Sequence, residues 1–295
     1  MIVSASRRTD IPAYYGEWLI RRVRAGFCEV ANPFNPAHVR RVDLSPEAVD
    51  CFVFWTRHPK TLLPRLGELD RRGYHFYFTY TVLDYPRSFE PRLPTRSTRV
   101  RMFKRISERF GPQRVVWRYD PILFTTVTDP DFHLRAFESL AGELAPYTDS
   151  VVVSIYDHYR KLAPRMRALA RQGAPRSFFE DDVDALRAFM HRLREIASAF
   201  DLRMHSCAED HDLEGTGIEE GACIDPARIG AITGRAVDSA RDSGQRRLCN
   251  CVSSVDIGAY DTCPAGCVYC YATGREERVS ERRRSHDPES PRLEP

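Results

Sequence analysis

Short apolar runs alternate with amphipathic stretches along most of the chain. The runs IVSAS (2–6), CFVFWT (51–56), YHFYFTYTV (74–82), VVWRYD (115–120), SVVVSIYD (150–157) and LRMHSCAE (202–209) are rich in β-branched and aromatic residues. They show little strict alternation, the pattern of strands buried on both faces of a parallel sheet. Between them the period changes to that of helices. Asp129–Pro130 supplies an N-cap followed by a proline at the first helical position, and Phe137, Leu140, Ala141 and Leu144 then fall on one face. Leu186, Phe189, Met190, Leu193, Ile196, Ala197 and Phe200 form a second core-facing stripe. A third stripe, Met102, Phe103, Ile106 and Phe110, stops at Gly111.

Strand–helix alternation predicts right-handed βαβ units and an α/β fold, its mostly parallel sheet open or closed into a TIM-like barrel. After Glu209 the alternation ends: HDLEGTGIEEGACIDPARIG is rich in glycine and acidic residues. The predicted organisation is an α/β body over 1–210, a cysteine-rich extension over 211–273 and a disordered polar tail over 274–295. The tail holds REERVSERRR (275–284), a charge run that reads as solvated.

Composition narrows the setting. With 42% apolar and 29% charged residues, 295 residues can bury a substantial core. No apolar run approaches the roughly 18–20 residues that span a bilayer, and MIVSASRRTDIP lacks the order of a secretion signal, so a cytoplasmic protein without a membrane partner is expected. A net charge of +3, from 44 basic and 41 acidic residues, does not announce nucleic acid.

Chemistry in parallel α/β folds gathers where strands end, and these ends are polar. They carry Arg7, Arg8, Thr9 and Asp10; Thr56, Arg57 and His58; Arg118, Tyr119 and Asp120; Tyr156 and Asp157; Cys207 and Glu209. Singly, each reads as a helix cap or a rim ion pair. Together they predict a mouth for a polar or anionic ligand, because arginine's planar fork suits carboxylate and phosphate.

Nine cysteines are many for a reducing compartment, where clustered thiols serve as metal ligands or redox groups. Cys28 and Cys51 sit in apolar runs and read as core. Cys263, Cys267 and Cys270 crowd into YDTCPAGCVYCYA (260–272), while Cys207, Cys223, Cys249 and Cys251 are more widely spread. A structural zinc takes four ligands, which the tight loop does not supply alone. A cubane iron–sulfur cluster has four irons, so three thiolates hold three corners and leave one open for another ligand. The four dispersed cysteines suit a second site with all corners filled, either an auxiliary 4Fe–4S cluster or zinc. His205 and His211 are alternative ligands there.

CPAGCVYCYA resembles the Cys-x3-Cys-x2-Cys signature of radical S-adenosylmethionine enzymes, including the aromatic before the last cysteine. The resemblance implies a 4Fe–4S cluster on Cys263, Cys267 and Cys270, S-adenosylmethionine chelated to the open iron, and a 5′-deoxyadenosyl radical that abstracts a substrate hydrogen. It implies Tyr269 near the adenine and a partial (β/α)6 barrel, in keeping with six strands. In most of that superfamily the signature follows the first strand. Here it lies near the end of the chain, and no glycine-rich stretch follows the second strand. A narrower resemblance accounts for the order. SASRRTDIPAYYGEW, NPFNP (32–36) and QRRLCNCVSSVDIGAYDTCPAGCVYCYA look like a bacterial family of unknown function, DUF1848, with a radical-SAM-like cysteine cluster at its C-terminal end. That implies a barrel first, with the cysteine-rich segment returning over its mouth.

The expected function is radical chemistry on a small polar or anionic substrate, with a flavodoxin or ferredoxin as electron donor. Arg7, Arg8 and Arg57 are the candidate substrate binders, and Arg118, Asp10 and Asp120 join Tyr269 as candidates for holding the cofactor. One alternative is nucleic-acid repair similar to that of spore photoproduct lyases, with Trp55 and Trp117 stacking on bases. The other is a zinc-stabilised binding protein without catalysis.

Overall fold

The computed structural model describes residues 1–294 except 158, 174, 175, 177, 180, 181 and 212. Its centre is an eight-stranded sheet of parallel neighbours. The six strands legible in the sequence are β1 (Ile2–Ala5), β4 (Cys51–Thr56), β5 (Phe76–Thr81), β6 (Val115–Ile122), β7 (Ser150–Ile155) and β8 (Arg203–Ser206). They lie side by side in chain order. Two strands of two residues each were not foreseen. β9 (Glu219–Glu220) pairs with β8, and β10 (Val255–Asp256) pairs with β1. Residues 211–273 are therefore tied into both edges of the sheet by backbone hydrogen bonds, which two-residue strands do not signal in sequence.

The crossovers are helical. α1 (Ile11–Tyr14), α2 (Gly16–Ala25), α3 (Leu66–Arg71), α4 (Arg96–Phe110), α5 (Pro130–Leu144), α6 (Ala163–Gly173) and α7 (Val183–Ala199) follow the strands in turn, and α8 (Pro226–Thr233) follows β9. The local signals act as expected: the Asp129 side chain accepts from the Phe132 N–H at the start of α5, and Gly111 caps α4. Between α2 and β4 an antiparallel hairpin, β2 (Phe27–Asn32) and β3 (Asn35–Asp43), stands apart from the main sheet. NPFNP forms its tip, where Phe34 is 95% exposed.

Residues alternate across the central strands. Val3, Phe52, Phe54, Phe76, Phe78, Trp117 and Val153 face the helices and belong to the larger apolar core. Ile2, Cys51, Val53, Tyr77, Val116 and Val152 face the other way, into a smaller cluster that also holds Cys223, Cys249 and Cys251.

The disordered tail expected over 274–295 differs in the structure. α9 (Glu276–Arg284) is helical, and the segment beyond it packs back on α2. Trp18 Nε1 donates to Ser290 O at 3.0 Å, Arg22 donates to Glu289 O at 2.9 Å, and Leu293 is buried. The charges that suggested solvation stay exposed or half-buried, while Val279 and Leu293 are covered. Among the described residues no helix is long and apolar enough to cross a membrane.

Candidate functional site

The chain reaches the tight cysteine loop along β10. Ile257 N donates to Ser4 O at 3.0 Å, and the Asp256 carboxylate accepts from the Ser4 and Ser6 hydroxyls and the Arg7 N–H at 2.8–2.9 Å. Gly258 lies so close to β1's end that a Cβ there would sit 2.0 Å from Ser6 Oγ. Only glycine permits that approach.

The loop itself is held from several directions. Tyr15 donates to Thr262 O at 2.7 Å, Val268 N to Phe89 O at 3.1 Å and Tyr271 to Arg7 O at 3.1 Å. Arg165 on α6 reaches Cys270 O, Thr273 O and Gly274 O at 2.6–3.3 Å. Gly266, with φ of +71°, makes the turn between Cys263 and Cys267 in the left-handed region. The three cysteines are free thiols, with Cys263 and Cys267 buried. Burial pushes Cys267 up to about 12 and Cys263 further still, and Cys270 close by raises both.

Around this loop stands a buried ionic group that no motif announced. Glu90 accepts from Arg57 Nη1 at 2.5 Å, pairs with Arg99 at 3.1 Å and takes the Tyr269 hydroxyl proton's hydrogen bond. The Arg57 guanidinium lies 5.0 Å from the centre of the Tyr269 ring. Glu90 sits in an irregular loop and Arg99 on an ordinary helix face, so neither carries a sequence signal. Asp10 braces the same region: its carboxylate accepts from Thr56 Oγ1, Arg57 N and Ala13 N at 2.7–2.9 Å. Burial outweighs those bonds and pushes it up to about 7.

The dispersed cysteines also converge, on the other face of the sheet. Cys207 follows β8 and Cys223 follows β9, and their sulfurs are 3.0 Å apart. Cys223, Cys249 and Cys251 share one buried cluster, and Ile224 N donates to Cys251 Sγ at 3.3 Å. Arg118 donates to Cys223 Sγ and pairs with Asp120. The guanidinium groups of Arg7 and Arg118 both lie over the Trp55 ring, 5.2 and 5.0 Å from its centre.

The candidate residues thus divide. Arg57, Asp10 and Tyr269 surround the tight loop, whereas Arg7 and Arg118 serve the second cysteine group. Asp120 links the two, its carboxylate on Arg118 and its carbonyl 3.4 Å from Arg57 Nη2. Arg8 stands apart over Tyr260 and beside Gly258 O. Trp117 is sealed in the core and donates to Val82 O, so it offers no face to a base. His211 lies 3.9 Å from Glu209.

A sequence profile described as a domain of unknown function, DUF1848, matches residues 2–272. The chain belongs to the DUF1848 family. Among curated proteins no relative matches it. Two solved structures show weak similarity. Dihydropyrimidinase from Brevibacillus agri NCHU1002 is 11% identical with a TM-score of 0.26, over 56% of this chain and 35% of that one. A candidate alpha-L-fucosidase from Bacteroides thetaiotaomicron VPI-5482 is 8% identical with a TM-score of 0.27, over 82% and 85%. This DUF1848 chain spans about a third of the dihydropyrimidinase, and scores this low carry no statement about fold or activity.

Among the described residues of the DUF1848 chain, no group of three or more His, Cys, Asp or Glu side chains is arranged to hold a metal ion as it stands. A cubane cluster poses a different requirement, since each thiolate binds its own iron at a separate corner. The loop carries three free thiols, two of them shut away from water. Beside the loop opens a cavity of about 350 Å³, lined in part by Cys263, Gly266, Val268, Arg92, Arg165 and Leu169. That is within the size range of small-molecule sites.

Proposed function

We propose that this DUF1848 protein is an iron–sulfur enzyme of the radical S-adenosylmethionine type, acting on a polar or anionic small molecule. The six chain-ordered strands would be the partial (β/α)6 barrel of such an enzyme, and the setting cytoplasmic, with a flavodoxin- or ferredoxin-like donor. One observation carries the reading. Cys263, Cys267 and Cys270 stand as free thiols on a single loop gripped at several points, with no fourth cysteine in their group. Cys263, Cys267 and Cys270 would hold a 4Fe–4S cluster there, which together with S-adenosylmethionine would supply one-electron radical chemistry for hydrogen abstraction from the substrate.

The chain's own residues have definable parts. Arg165, Tyr15 and Val268 fix the loop's backbone, so the thiols are presented without further ordering. Arg57 sits beside Cys267 and offsets negative charge in the buried pocket. Glu90 holds Arg57, Arg99 and the Tyr269 hydroxyl together, which keeps the ring packed over the loop and water out. Because Arg57 is committed to Glu90, the free anion-binding capacity falls to Arg8, whose guanidinium lies over Tyr260 and makes one long hydrogen bond of 3.5 Å.

Anaerobic reconstitution with iron and sulfide tests the reading. About four irons per chain are expected in the tight loop, with 5′-deoxyadenosine formed on reduction in the presence of S-adenosylmethionine. Replacing Cys263, Cys267 and Cys270 together with alanine should abolish both. Reconstituted protein that binds no iron at that loop, or that binds it and forms no 5′-deoxyadenosine, overturns the proposal.

A further inference from the structure

We propose that Cys207 and Cys223 are an oxidisable dithiol, a site where a peroxide closes a disulfide and a small thiol reopens it. The inference is independent of the function proposed for the tight loop. Both cysteines are free, and their sulfurs lie 3.0 Å apart. A disulfide bond is about 2.05 Å long, so roughly 1 Å of further approach closes it. Cys251 differs, its sulfur accepting the Ile224 N–H at 3.3 Å. Among the described residues no group of three or more metal-ligating side chains is arranged to hold an ion. The contact between Cys207 and Cys223 is the contact of a pair.

Neighbouring strands bring the two together. Cys207 directly follows β8, and its N–H donates to Val153 O at 3.0 Å. β9 runs parallel to β8 with Ser206 opposite Glu220, and Gly221 N donates to Ser206 O at 2.9 Å. That approach needs glycine, because a Cβ on residue 221 would lie 2.7 Å from His205 Cβ. Two residues on, Cys223 is fixed by its carbonyl, which accepts from the Tyr77 hydroxyl at 2.7 Å. On the other side Ala208, next to Cys207, has a φ of +48°. Alanine seldom adopts that left-handed backbone, which persists only where the surrounding structure holds it.

Exposure gives the two thiols different parts. Cys207 is half-buried and Cys223 buried, so a peroxide meets Cys207 first. The Cys207 thiolate attacks one oxygen of hydrogen peroxide. The O–O bond breaks, hydroxide takes a proton and leaves as water, and Cys207 becomes a sulfenic acid. The Cys223 sulfur then attacks the Cys207 sulfur. An S–S bond forms, the S–O bond breaks, and a second water leaves with the Cys223 proton. Two thiols and one peroxide thus give one disulfide and two waters. Arg118 holds Asp120 through Nε and Nη2 and donates from Nη1 to Cys223 Sγ. A cationic donor on that sulfur favours the thiolate that makes the second attack. A small thiol reverses the change by exchange and ends as its own disulfide. Oxidation would staple the turn after β9 to the end of β8.

Peptide mapping of the full chain tests the pair apart from the tight loop. Trypsin cuts after Arg203 and Arg228, and the peptide 204–228 contains Cys207 and Cys223 and no other cysteine. Cys263, Cys267 and Cys270 fall in the peptide 248–275. The chain is purified anaerobically, treated with equimolar hydrogen peroxide, then denatured and alkylated. Peptide 204–228 should emerge unalkylated and lighter by two hydrogen atoms, and dithiothreitol before alkylation should restore both labels. A digest that also cuts after Glu214 should leave the two halves joined until reduction. In Cys223→Ser the sulfenic acid on Cys207 should persist and be trapped by dimedone. The parent map needs no substitution, so the test survives if that variant fails to fold. Both cysteines alkylated after peroxide, a disulfide from either to peptide 248–275, or iron or zinc held by either in the purified chain overturns the proposal.

Discussion

His133 illustrates how a single buried residue sets a solution property. It lies wholly inside, its Nδ1 accepting from Tyr119 and its Nε2 donating to Leu123 O at 3.2 Å. Burial pushes it down to about 4 from an ordinary 6.5, with Leu123 O and Asp129 opposing weakly. The unfolded chain therefore binds more protons than the folded one between those values. Stability from this residue is complete above pH 6.5 and is lost as pH falls toward 4, by on the order of 3 kcal/mol. Denaturant unfolding of His133→Gln at pH 7 and pH 4.5 should show a smaller acid loss than the parent. An equal loss in both would remove His133 as the cause.

At the scale of elements, the junction of β10 with β1 decides where the tight cysteine loop sits. The loop's backbone departs from Gly258, which has no space for a side chain against Ser6. Gly258→Ala must push β10 away or distort the turn after β1, at a cost of about 1–3 kcal/mol. The expected result is a lowered thermal midpoint together with weaker iron retention, because the Asp256 bonds to Ser4, Ser6 and Arg7 share the same contact. An unchanged midpoint would show that the junction yields without cost. The hairpin of β2 and β3 differs: its base buries Cys28 and Val42, while its tip leaves Phe34 in solvent.

Across the whole molecule, residues 276–294 behave as part of the body. Val279 and Leu293 are buried, and the segment accepts hydrogen bonds from Trp18 and Arg22. Two aliphatic side chains at roughly 1.5–3 kcal/mol each predict that truncation after residue 273 destabilises the chain by at least about 3 kcal/mol. Calorimetry of the truncated chain checks this. A midpoint equal to that of the full chain would restore the solvated tail that its charge pattern suggested.

The sequence by itself determined the six central strands, three of the helices, two of them with a cap, and the cysteines as a chemical theme. Those features depend on local rules: a period of two or 3.6, an N-cap with proline, a glycine stop, and close spacing along the chain. Only tertiary structure decided that the cysteines form two groups on opposite faces of one sheet, that Arg118 and Arg7 belong with the second group while Arg57 belongs with the first, and that Glu90 lies at the centre of the ionic network. Each of those depends on which side of a pleat a residue takes and on contacts across tens to hundreds of positions, such as Tyr269 with Glu90 and Arg118 with Cys223. Short-range pattern carries no record of such pairings. The physical reason is that a buried charge is positioned by the partner that neutralises it, and the fold alone brings that partner near.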